Sequence, residues 1–78
     1  MTDYNFVGRT NSGYQIVEEF PHGDGTATVL GINHNRTHDR YVVWTAEIQH
    51  GRAVYWHGDY RTMLPDAAVW FTERSRQG

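Results

Sequence analysis

Residues 41–60, YVVWTAEIQHGRAVYWHGDY, constrain the fold more than any other stretch of this chain. Val42, Trp44, Ala46 and Ile48 alternate with Tyr41, Val43, Thr45 and Glu47, the two-residue period of a pleated strand. The residues after Gly51 return with the same alternation, so the stretch reads as a β-hairpin. Its register follows from the loop length. A two-residue His50-Gly51 loop sets Ala46 opposite Tyr55 and Trp44 opposite His57, which mixes polar and apolar groups on both faces. A three-residue loop, Gln49-His50-Gly51, sets Trp44 opposite Trp56, Ala46 opposite Val54 and Val42 opposite Gly58. That arrangement gathers Val42, Trp44, Ala46, Ile48, Val54 and Trp56 on one face, and a slip of one residue undoes it. Gly51 can close such a loop in the left-handed region. The three-residue register is the expected one.

Upstream, residues 3–9 (DYNFVGR) read as a short strand carrying Tyr4 and Phe6, and Thr10-Asn11-Ser12-Gly13 reads as a turn. Residues 14–20 alternate as a further strand, which Pro21 ends because it cannot donate to a ladder. A glycine-rich turn, His22-Gly23-Asp24-Gly25, precedes the β-branched return strand within residues 26–33, where Gly31 marks a bulge or a close backbone approach. The polar segment 34–40 (HNRTHDR) links this first hairpin, about 14–33, to the second, about 41–59. A helix is expected over about 65–76. Pro65 suits its first turn, Asp66 its positive end, and Arg74 and Arg76 its last turn, with Thr62 as an alternative cap. Leu64, Ala67, Ala68 and Phe71 share one of its faces.

The expectation is therefore one α+β domain: an antiparallel sheet of four to five strands, in two hairpins, packed as two layers against one C-terminal helix. The helix is assigned to the Trp44/Trp56 face. Tyr41, Val43, Tyr55 and His57 are then left on an open, aromatic sheet surface, a candidate protein-contact site.

Composition narrows the function classes. The chain has 78 residues and no cysteine, so no disulfide or thiolate metal site is available. The polar N-terminus and the lack of a long apolar run point to a cytoplasmic protein without a membrane partner. Every basic residue is arginine, and the net charge of −2 disfavours nucleic acid as a partner. Tyr41, Tyr55 and His57 with Arg40 and Arg52 resemble a base-stacking platform only loosely, and no RNP signature accompanies them. His34 and His38, with Asp39, lie in a loop of turn-forming residues without an HExxH pattern, so no metal or other cofactor is expected. Glu47, His57 and Asp59 are the acid–base candidates, but a flat sheet face offers no cleft to separate their pKa values, and no catalytic residue is assigned.

The pair Tyr41-Val42-Val43-Trp44 and Tyr55-Trp56-His57-Gly58-Asp59-Tyr60, followed by Ala67, Ala68 and Phe71-Thr72-Glu73-Arg74, resembles small accessory proteins of phages, plasmids and integrated elements. The resemblance covers about the last forty residues. It implies a non-enzymatic protein that binds a host protein directly, of anti-CRISPR type in size and style, acting as an inhibitor of a bacterial defence complex. The contact residues expected on that reading are Tyr41, Val43, Tyr55 and His57, with Glu18, Glu19 and Asp24 as an acidic patch and Arg52 beside them. The alternatives are a small nucleic-acid-binding accessory protein and a homodimer formed through the open face.

Overall fold

The computed structural model describes residues 5–77. Five antiparallel strands follow one another in the sheet in chain order: β1 (Thr10–Asn11), β2 (Tyr14–Pro21), β3 (Thr26–Ile32), β4 (Tyr41–Gln49) and β5 (Arg52–Arg61). One helix, α1 (Leu64–Gln77), completes the α+β fold. The expected first strand is not formed among the described residues. Asp3 and Tyr4 lie outside the described residues, and residues 5–8 bend or turn. Thr10 and Asn11, expected in a turn, instead pair with Gln15 and Tyr14. Their connection, Ser12-Gly13, has φ of 52° and 85°, the pair of positive values that a type I′ hairpin turn needs.

The central hairpin closes in the same way, and this overturns the expected register. Gln49 pairs with Arg52, leaving a two-residue loop in which His50 and Gly51 have φ of 52° and 80°. Histidine enters the left-handed region more readily than bulky or β-branched residues do, and the twist of this turn matches the twist of its strands. Ala46 therefore faces Tyr55 and Thr45 faces Trp56. Further along, Val43 pairs with Asp59, so His57 and Gly58 together oppose Trp44 as a β-bulge. His57 takes φ 54° there. Trp44 and Trp56 consequently lie on opposite faces and do not pair.

Both faces are covered, which is why sorting by polarity chose the wrong register. On one side Tyr14, Ile16, Ala27, Val29, Val42, Trp44 and Ala46 pack with Phe6, and Tyr55 and Ala53 lie against them. The sheet curls around this cluster. Strands three places apart would be ~14 Å apart in a flat sheet, yet the rings of Tyr14 on β2 and Tyr60 on β5 are 5.8 Å apart. Phe6 closes the curl against Tyr55 at 6.2 Å. The Glu19 carboxylate holds that segment in place by accepting from the Phe6 and Val7 amides at 2.8 and 2.9 Å. Burial raises the Tyr14 and Tyr55 phenols above their ordinary range, so both rings stay neutral in the core.

The helix lies on the other side, against Leu30, Val43 and Tyr41, through Ala67 and Phe71. Its assignment to the Trp44 face is therefore corrected. Leu64 and Ala68, expected in its packed stripe, are exposed. Thr62 does not cap it, because its hydroxyl accepts from the Asp39 amide at 3.2 Å.

Two glycines are required by close approach. Gly31, as expected, leaves room, since a Cβ there would lie 3.1 Å from Val42 and 3.2 Å from Tyr14. At Gly58 a Cβ would lie 2.7 Å from Trp44 Nε1 and 3.0 Å from Trp44 Cδ1, so the indole would have to move. Gly58→Ala is expected to destabilise the fold by about 1–3 kcal/mol in urea denaturation. An unchanged midpoint would contradict the bulge packing.

A candidate functional site between helix and sheet

Arg74 organises the seam between α1 and the sheet. Its side chain is 12% exposed and reaches four acceptors. Nη1 donates to the Val43 carbonyl at 2.8 Å, to the His57 carbonyl and to Asp59 Oδ2 at 3.2 Å. Nη2 donates to Thr45 Oγ1 at 2.6 Å. The bulge makes this possible, because it brings the His57 carbonyl and Asp59 to the side on which the helix lies. A guanidinium suits the task, having several donors in a rigid fork.

Beside Arg74 the helix and the sheet part to leave a cleft of about 390 Å³. His22 and Asp24 come from the β2–β3 turn, Thr26 and Thr28 from β3 and Thr45 from β4. His57 and Asp59 belong to β5, while Trp70 and Arg74 stand one helical turn apart on α1. Thr28 forms the floor at 1% exposure and its hydroxyl bonds His22 Nε2 at 2.7 Å. Asp24 Oδ1 accepts from the Thr26 amide at 2.9 Å and from its hydroxyl at 2.6 Å. Those bonds, the hydroxyl's first, hold the Asp24 carboxyl below its ordinary range. Trp70 forms the aromatic wall, and the Arg61 guanidinium lies 4.7 Å from the centre of its ring.

Four positive-φ residues other than glycine occur among the described residues: Ser12, Asp39, His50 and His57. Ser12 and His50 are in hairpin turns and Asp39 is in a loop; His57 alone lies within a strand, at the rim of this cleft. Left-handed backbone held inside regular structure marks a position where the surroundings override local preference.

The eight expected contact residues do not assemble. Tyr41 and Val43 lie beneath the helix, with Val43 fully buried. Tyr55 points the other way, into the Trp44 cluster. Glu19 is occupied by the backbone of the N-terminal segment. Glu18 is exposed on β2 opposite Leu30, and Arg52 lies with Arg9 around a separate cavity. Only Asp24 and His57 reach the cleft. No group of three or more His, Cys, Asp or Glu able to hold a metal occurs among the described residues. Sequence reading missed His22, Thr28, Thr45, Trp70 and Arg74. The one available signal was the i, i+4 pair Trp70/Arg74 beside the Ala67/Phe71 stripe.

Comparison of the chain with protein-family models, with curated proteins and with solved structures finds no match.

Arg74→Leu leaves partly buried acceptors unpaired and is expected to lower stability by about 1–3 kcal/mol. The exposed Arg76→Leu is expected to change it by less than about 0.5 kcal/mol; equal effects in urea denaturation would contradict the network. In a carbon-detected pH titration Asp24 is expected to ionise below the ~3.9 of a free aspartate. Because the folded value is the lower one, the stabilisation it brings is present above the unfolded value and lost as the pH falls through the folded one. Thr26→Val is expected to move Asp24 upward, and an unmoved titration would refute the assigned cause.

Proposed function

We propose that this chain is a non-enzymatic protein-binding module, of the kind implied by its resemblance to accessory proteins of mobile elements, and that it contacts a host protein directly. The observation carrying this reading is where apolar surface remains uncovered. Of the eight large hydrophobic residues left exposed among the described residues, Met63, Leu64, Val69 and Trp70 lie just before α1 or in its first half. Met63 and Val69 are each 60% exposed. Single exposed apolar residues need no explanation, whereas a helix that keeps several of them uncovered offers an interaction surface. Ala68, Val69, Thr72, Glu73 and Arg76 line a shallow groove on the outer side of the helix, and the polar cleft opens at Trp70. An apolar patch with polar groups around it has the composition of a contact surface.

This surface replaces the sheet face that alternation alone had indicated. A subunit of a bacterial defence complex is the partner that the resemblance favours, which would make the protein an inhibitor acting by occupation. A photo-crosslinking side chain at position 69 is expected to capture one host protein, saturably. Val69→Glu is expected to weaken binding of that protein at least about tenfold without shifting the unfolding midpoint. Capture of a defence-complex subunit supports the inhibitor reading, and capture of any other host protein overturns that part. Crosslinking only to a second copy of the chain, or none, overturns the host-binding reading itself.

A further inference from the structure

We infer that the cavity between β1 and the start of β5 binds a phosphate group in its dianionic form. None of its lining residues belongs to α1, so the site is separate from the contact surface proposed above. The cavity, of about 550 Å³, lies where the two edges of the curled sheet face each other. Its polar side chains are those of Arg9, Thr10, Asn11, Arg52 and Tyr55. All five can donate a hydrogen bond, two are cations, and no carboxylate lines the cavity. Among the described residues the one bond these side chains make runs from Arg9 Nε to the Asn5 carbonyl, at 2.5 Å. Neither arginine is in a salt bridge among those residues. Donors and positive charge are therefore in excess.

The Tyr55 hydroxyl is an independent observation. Its oxygen is buried and has no hydrogen-bond partner among the described residues. An orphaned group of this kind is costly and marks a place where something further completes the bonding. Burial keeps the phenol protonated, so it is a donor, and Arg9 is the cation that acts on it. Glu19 acts on the phenol in the opposite sense, but its carboxylate is held by the Phe6 and Val7 amides and does not line the cavity. Charge then selects the ligand. Two guanidinium groups match a phosphate dianion, whereas a carboxylate or a phosphodiester balances only one of them. Guanidinium forks also fit phosphate oxygens in pairs. At Gly8 and Gly51 no atom lies within 4 Å of where a side chain would begin, so the rim is open.

The test is a proton–nitrogen NMR titration of the full chain at about pH 8 and constant ionic strength. The ligands are inorganic phosphate and N-acetyl-phosphoserine amide, both dianions there, with dimethyl phosphate and acetate as monoanions. The dianions are expected to shift the Gly8 and Gly51 amides and the Arg9 and Arg52 side-chain N–H groups. The monoanions are expected to bind at least about tenfold more weakly. Arg52→Gln is expected to cost the dianions a similar factor, while Arg36→Gln, on the exposed loop before β4, leaves their binding unchanged. Tyr55→Phe is expected to weaken binding without lowering the unfolding midpoint in phosphate-free buffer, because its hydroxyl makes no bond in the free chain. Shifts with inorganic phosphate alone identify the free ion as the ligand, and shifts with phosphoserine identify a phosphate monoester. No shifts with either dianion up to about 50 mM, equal binding of the monoanions, or equal losses from Arg36→Gln and Arg52→Gln would each overturn the inference. Crosslinking from position 69 is unaffected by any of these results, so loss of the phosphate site and loss of the protein-binding reading are separately visible.

Discussion

The contact on which the structure depends is that between the Trp44 indole and the backbone of Gly58. The indole nitrogen lies where any side chain at residue 58 would begin, so β5 must pass Trp44 without one. The chain meets this by placing two residues, His57 and Gly58, opposite one. That extra residue shifts the ladder by one place and sets the outer end of β5 in its own phase. Tyr60 then returns to the Trp44 side, and Asp59 emerges on the other, where the helix lies. One steric requirement in the core thus decides what is displayed on the opposite face.

The two faces are held by different means. The Trp44 side is an aromatic interior with Tyr14, Tyr55 and Tyr60 at 5.3–6.3 Å around the indole, wrapped by a curled sheet. Edge-to-face and tilted contacts of this kind add to the area they bury. The helix side has a much smaller apolar seat, formed by Leu30, Val43 and Ala67. A seat of that size leaves most of the helix exposed, and Arg74 adds directional bonds to three strand residues and a carboxylate. Anchoring by a polar side chain keeps the helix and the sheet apart at one end, and the cleft lies in that gap. The exposed apolar side chains of α1 and the cleft are therefore products of the same docking mode.

Local chemistry made the elements legible, and long-range geometry hid the faces. Turn residues and β-branched runs placed the hairpins at about 14–33 and 41–59, against strands that run from Tyr14 to Ile32 and from Tyr41 to Arg61. Pro65, Asp66 and the terminal arginines placed the helix within a residue at each end. The register was not legible by sorting polarity, because that method assumes one wet face. Here both faces carry apolar residues, so the left-handed tolerance of His50 and the needs of Trp44 decide instead. Asp24 and His57 were recognised as residues of interest, but their meeting with Trp70 and Arg74 depends on which side the helix takes. Glu19 looked like surface charge because its partners are backbone amides, which no side-chain pattern reveals.

α1 packs on the Val43 side of the sheet, while Trp44 lies on the reverse side among tyrosines. Carbon-edited nuclear Overhauser spectra of the intact chain test this most directly. The expected result is cross-peaks from the Ala67 methyl to Val43 and Leu30, together with cross-peaks from the Trp44 indole to Tyr14 and Tyr60. Cross-peaks joining Ala67 or Phe71 to Trp44, with none to Val43, would contradict it.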